Sequence, residues 1–212
     1  MHLVQLHIVR NGYSAKKTSK NRPIGTMVTE NRSIDAAYYR ELMTGVGGVF
    51  AKVKEKMPWL KETGHIIQHD GAKPHIGKDN PEHFATEGLV DGWHIRVEKQ
   101  PPQSPDLNLL DLCLFASLQT RSDELKVSLP SRNIDDLMAR VTQAWSEYDA
   151  NTIDNAWKHL YDVYECILVD KGGNMYPKPH KASTRVPEHN GSNVDLSINM
   201  DIYNAAQNVY IT

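Results

Sequence analysis

The sequence predicts an α/β fold, and three observations carry that prediction. Two short apolar runs, over residues 64–68 and 93–97, flank a helical segment that opens on Pro81, which is the spacing of a strand-helix-strand crossover. Longer segments on both sides of this unit repeat their apolar residues at helical spacing. With 212 residues, 40% hydrophobic and 24% charged, the chain has the length and composition of one globular domain plus a tail.

Residues 2–10 are apolar with polar interruptions and run into Asn11-Gly12, which reads as a strand followed by a turn. A basic loop, SAKKTSKNRPIGT, comes next, kept irregular by Pro23 and Gly25. Arg10, Lys16, Lys17, Lys20 and Arg22 all precede the first acidic residue, Glu30, so a chain of net charge −2 carries one cationic segment. Such a segment suits phosphates, and it equally suits a solvated basic loop.

Ser33 is the expected N-cap of a helical stripe from Ile34 to Met57 that includes Leu42, Phe50 and Val53. Gly45, Gly47 and Gly48 each weaken a helix by up to ~1 kcal/mol relative to Ala, so a kink or two shorter helices is expected. That GVGG follows no strand and has neither phosphate-loop spacing, so it is no nucleotide loop.

The strand ending at Gln68 delivers Asp70 into an Asp-Gly turn, and a helix from Pro81 to Gly88 leads to the strand Trp93–Val97. A crossover this short is parallel and right-handed, and functional groups collect at the carboxyl ends of such strands, where Asp70 lies. QPPQSPD is irregular because Pro101, Pro102 and Pro105 lack an N–H donor. Asn108 is then the expected N-cap of a helix through Leu118, with Asp111 at its third position, where the helix dipole favours a carboxylate.

Two more helices follow, one capped by Asn133 and carrying Leu137, Val141 and Trp145, the other capped by Asn151, carrying Ala156, Trp157 and Leu160, and stopped at Gly172-Gly173. Their aromatic residues belong to a core rather than to a base-stacking platform. Beyond Pro179 the chain is polar and aperiodic through Asn193, and Val194 to Thr212 is only faintly amphipathic, so residues 182–212 read as a largely disordered tail.

Cys113 and Cys166 are too few for a disulfide framework or a four-cysteine metal knuckle. No run reaches the ~18 apolar residues of a membrane span, and the first residues lack the apolar stretch of a signal peptide. The expected compartment is cytoplasm or nucleus.

Asp70 and Asp111, remote in sequence, are expected to converge. Paired carboxylates suit DNA phosphodiester chemistry, in which two Mg²⁺ ions ~3.5–4 Å apart activate the nucleophile and stabilise the developing charge. Taken singly, an Asp-Gly after a strand reads as a turn and an Asp in a first helical turn as a dipole partner. A zinc site is suggested by His65, His69 and His75; strand alternation puts the first two on one side, but no three-ligand catalytic set is evident.

The wider wording resembles the mariner-type DDE/D transposases. HIIQHDGAKPH is similar to the family block usually read Gln-Asp-Asn-Ala-Arg-Pro-His, which places Asp70 on the second catalytic aspartate. QPPQSPDLNLLDLCLFASLQ is similar to the third block, whose helix bears the last acidic residue, here Asp111. SKNRPIGTM and KGGNMYPKPH also resemble that family, so the likeness covers residues 10 to 181.

The resemblance implies a ribonuclease H-like mixed sheet flanked by helices, with a C-terminal helical pair, in a partial catalytic domain over residues 1–181. It further implies DNA as substrate (transposon ends and target DNA), Mg²⁺ or Mn²⁺ held by Asp70 and Asp111, a nuclear setting and a homodimer. Gln68 and His75 inherit supporting roles behind the metal ligands, and Lys16, Lys17, Lys20, Arg22 and Lys73 the contacts to DNA. Three departures stand beside this. No position supplies the first catalytic aspartate, no segment supplies the helix-turn-helix region, and Gly71 and Lys73 replace Asn and Arg. The first strand of the sheet is therefore expected to be missing and the chain alone to be inactive in cleavage. The alternatives are a domesticated protein that binds nucleic acid without cutting it, and a protein-interaction module built on the C-terminal helices.

Overall fold

The computed structural model describes residues 10–20, 22–31, 33–177 and 200–210. Its secondary structure is mixed α and β, with small sheets and several helices. The described residues fall into two units, one from Met1–Pro102 with Lys126–Thr142, the other from Gln103–Leu125 with Gln143–Thr212. Asp70 belongs to the first and Asp111 to the second.

In the first unit β1 (Arg10–Ser14) pairs antiparallel with β2 (Met27–Asn31). The turn expected at Asn11-Gly12 is instead inside β1, where Asn11 and Gly12 face Glu30 and Thr29. Cross-strand pairing overrides the local turn signal, and the rest of the predicted strand, residues 2–9, lies outside the described residues. The basic segment forms the hairpin loop. Ala15, only 2% exposed, fastens it through bonds from its N–H to Thr26 O (2.8 Å) and from Gly25 N–H to its carbonyl (2.9 Å). Ser19 and Arg22 exchange backbone bonds of 2.8 and 3.1 Å in the loop.

The helical stripe after the hairpin divides into α1 (Ala36–Thr44) and α2 (Val49–Lys56) at the Gly45–Gly48 break. The cap of α1 is Asp35, whose carboxylate accepts from Tyr38 N–H at 2.8 Å, rather than Ser33. Aspartate caps as well as serine does, and here it lies three residues from the N–H it satisfies. A short α3 (Leu60–Thr63) ends at Gly64, whose φ of +67° suits glycine, and β3 (His65–His69) begins. After α4 (Asn80–Gly88), with Pro81 in its first turn, β4 (Ile95–Lys99) pairs parallel with β3, His65 opposite Ile95 and His69 opposite Lys99. The core joins these elements: Tyr39, Met43, Phe50, Val53, Phe84, Trp93 and Ile95 are buried together, with Ile67 and Val97 against them.

In the second unit a 3-10 turn (Pro105–Leu107) and a π-helical turn (Leu110–Leu114) lead into α5 (Phe115–Glu124). α6 (Ile134–Ser146) starts in the first unit, with Asn133 accepting from Asp136 N–H at 2.8 Å as the sequence predicts. α7 (Ala150–Val169) is capped by Asp149, which accepts from Asn151 N–H at 3.2 Å, so the cap lies before the predicted Asn151. Its buried face carries Ala156, Leu160 and Val163, while Trp157 is 42% exposed, contrary to the expectation that every aromatic on the stripe is core. Residues 182–199 of the predicted tail lie outside the described residues; Met200–Tyr210 forms α8, whose Ala206 is buried.

Candidate functional site

The residues gathered around Asp70 all belong to the first unit. β3 ends where Gln100 N–H reaches His69 O (2.8 Å), and the next residue, Asp70, turns the chain. Its Oδ1 accepts from Ala72 N–H at 2.9 Å, an Asx-type turn in which the carboxylate substitutes for a backbone acceptor. Two further backbone bonds to Ala72 O, from His75 (2.9 Å) and Ile76 (3.3 Å), fold the turn back on itself. His75 thereby brings Nδ1 to 2.5 Å from the same Asp70 oxygen.

Both contacts use Oδ1, so among the described residues Oδ2 is uncommitted, and the Asp70 side chain is 45% exposed. The Ala72 N–H, and after it His75, hold the Asp70 carboxyl below its ordinary range against the opposing effect of burial. Tyr39, from α1, packs its ring 4.0 Å from that of His75 and lies nearly parallel to His69 at 6.1 Å. Burial, then the neighbouring Asp70 charge, pushes the Tyr39 hydroxyl up to about 12. Burial also lowers His69, helped by His75 and opposed by Asp70. These rings stack along one wall of the turn.

The turn is locked from below by Asn80, which is wholly buried. Its amide donates to the carbonyls of Pro74 (3.1 Å), His75 (3.4 Å) and Ala36 (3.4 Å), and its oxygen accepts from Arg40 Nε at 3.0 Å. Neither Asn80 nor Tyr39 is legible as a site residue in the sequence. Asn80 reads as a helix-start residue and Tyr39 as one more apolar helix position, because the groups they serve are supplied by other segments.

Of the predicted supporting residues, His75 holds Asp70 directly. Gln68 is exposed and alternates onto the opposite face of β3 from His65, Ile67 and His69, while the two contacts to Asp70 Oδ1 come from Ala72 and His75. Lys16, Lys17 and Lys20 are exposed on the hairpin loop, Lys73 is exposed on the Asp70 turn, and Arg22 is half-buried.

In the second unit Asp111 is exposed in the first turn of the π-helical segment. Asn108 caps this segment as predicted, accepting from Leu110 N–H through Oδ1 at 3.1 Å. It also donates through Nδ2 to Asp111 Oδ2 at 2.9 Å, so one amide both caps the helix and orients the carboxylate. Short π-helical turns concentrate at functional sites. Behind it, Tyr176 donates to Asp106 at 3.0 Å; burial and this bond push the Tyr176 hydroxyl up to about 12.

Among the described residues no group of three or more His, Cys, Asp or Glu side chains is placed to hold a metal ion. His65, His69 and His75 therefore form no zinc site. Around Asp70 the described residues likewise supply no set of three such donors for Mg²⁺ or Mn²⁺. No described helix is long and apolar enough to cross a membrane. Protein-family models, curated proteins and solved structures offer no match to this chain.

Proposed function

We propose that the chain is part of the catalytic domain of a mariner-type DNA transposase, of ribonuclease H-like descent, which engages DNA phosphates and does not cut DNA unaided. The observation that supports this best is the seat of Asp70, at the carboxyl end of a strand in a parallel pair, fixed by Ala72 N–H and His75 with one oxygen uncommitted. It agrees with the role that the sequence resemblance gives Asp70, and ligands of parallel sheets gather at such strand ends. Asp111, oriented by Asn108, is the third-block carboxylate on the same reading.

Lys16, Lys17, Lys20, Arg22 and Lys73 supply cations for the DNA backbone. The nucleus is the place of action, a homodimer the working assembly, and Mg²⁺ or Mn²⁺ the cofactor of the complete enzyme. Two assigned carboxylates are fewer than the three that the family uses, which is why the chain alone is expected to leave DNA uncut.

Duplex DNA binding measured between about 50 and 200 mM salt tests the reading. Affinity is expected to fall steeply with salt, and a Lys16→Ala/Lys17→Ala/Lys20→Ala variant to flatten the slope by up to about 0.9 per lysine lost. Salt-independent binding, or none at the lowest salt, contradicts it. The lack of a three-ligand group among the described residues favours a second reading, a DNA-binding protein without catalysis. Under that reading Asp70→Asn leaves affinity in Mg²⁺ unchanged; under the first it alters it.

A further inference from the structure

We infer that Lys99 is a phosphate-contacting residue for the DNA backbone, seated over Gly71 beside Asp70. The inference rests on the nucleic-acid reading above and adds a residue which that reading does not contain. Register puts Lys99 directly opposite His69 at the carboxyl end of the parallel pair, so it flanks the turn that begins at Asp70. Its side chain does not simply run out into solvent. A Cβ built on Gly71 would come within 2.7 Å of Lys99 Cε and 3.2 Å of Nζ, so the ammonium lies folded over the glycine in space that any other residue would contest.

The charge placed there is uncommitted. No described carboxylate forms an ion pair with Lys99, and the nearby Asp70 accepts from Ala72 N–H and pairs with His75 Nδ1 instead. The Lys99 charge still reaches the site, since it contributes to the lowering of His69. An exposed ammonium with three donors, no anionic partner among the described residues and an open glycine beneath it is suited to a phosphate oxygen. Lys73, exposed on the same turn, supplies a second positive charge.

The test is binding of a fluorescein-labelled DNA duplex across a salt series, with thermal unfolding as a check on folding. Lys99→Ala is expected to weaken binding on the order of 5- to 10-fold at low salt and to flatten the salt slope by about 0.9, while Lys99→Arg keeps both. Gly71→Ala, which adds only the methyl group that displaces the ammonium, is expected to weaken binding on its own and to cost nothing further in a Lys99→Ala background. Wild-type affinity and slope in Lys99→Ala overturn the assignment and leave the nucleic-acid reading standing. A Gly71→Ala loss that persists in the Lys99→Ala background also overturns it. Failure of the wild-type protein to bind duplex at the lowest salt overturns the reading and the assignment together. Should Gly71→Ala unfold, the Lys99→Ala and Lys99→Arg pair decides alone.

Discussion

Asn80 donates to the carbonyl oxygen of Pro74 at 3.1 Å from a wholly buried position, and so ties the turn that carries His75 to the start of α4. Arg40 Nε completes the arrangement at 3.0 Å, bringing in α1. Asn80→Ala removes these bonds together and leaves carbonyls and a guanidinium N–H without their partner. A loss of about 2–3 kcal/mol in urea denaturation is expected. A loss within experimental error of zero would show that the turn holds its shape without the amide.

Gly88 lets α4 approach β4 closely, because a Cβ there would collide with the carbonyl oxygen of Ile95. Backbone cannot swing aside as a flexible side chain can. Gly88→Ala is expected to destabilise by about 1–3 kcal/mol, although alanine is the better helix former, and the sign of the change in melting temperature checks it.

Acid stability follows from the imidazoles under the sheet. Burial is the leading cause that lowers His65 and His69 from the ordinary value of 6.5. Below 6.5 the unfolded chain therefore binds more protons than the folded one, and stability falls with falling pH through that window. His69→Leu is expected to reduce the slope of stability against pH between about 5 and 7. An unchanged slope would indicate that His69 titrates as it does in the unfolded chain. Asp70 acts at lower pH. Its carboxyl is held below the ordinary range, so its contribution is present above that range and is lost as pH falls through it. The difference between wild type and Asp70→Asn should accordingly shrink on acidification.

In the second unit Asn108 serves Leu110 N–H and Asp111 at once. Asn108→Ala is expected to cost about 1 kcal/mol through the lost cap, whereas Asn108→Asp keeps an acceptor for Leu110 but sets a second carboxylate against Asp111. Thermal denaturation at low and high salt separates the two effects, since only the charge repulsion is screened.

Signals contained within a few residues were legible in the sequence. The Gly45–Gly48 break between helices, the Asn133 cap and the parallel strand-helix-strand unit each depend on local chemistry or on chain length. Caps shifted where two competent residues lay close together, as with Ser33 and Asp35 or Asn151 and Asp149. What the sequence could not carry was register and tertiary approach. Asn11-Gly12 is a turn signal overruled by a partner strand at Glu30 and Thr29. The seat of Lys99 over Gly71 depends on which residue faces His69, and Asn80 depends on carbonyls from two segments remote in sequence, Ala36 in α1 and Pro74-His75 in the turn. His75 was found because the resemblance named its block, and Tyr39 escaped because nothing local distinguishes it from other apolar helix positions.

The most direct measurement incubates an end-labelled duplex with the purified chain in Mn²⁺ and reads binding and strand integrity on paired native and denaturing gels. The expected result is a shifted duplex with both strands intact, because Asp70 and Asp111 are the assigned carboxylates and no third is supplied. Strand cutting that disappears in Asp70→Asn would contradict the claim of inactivity, and a duplex that never shifts would contradict the claim that the chain engages DNA.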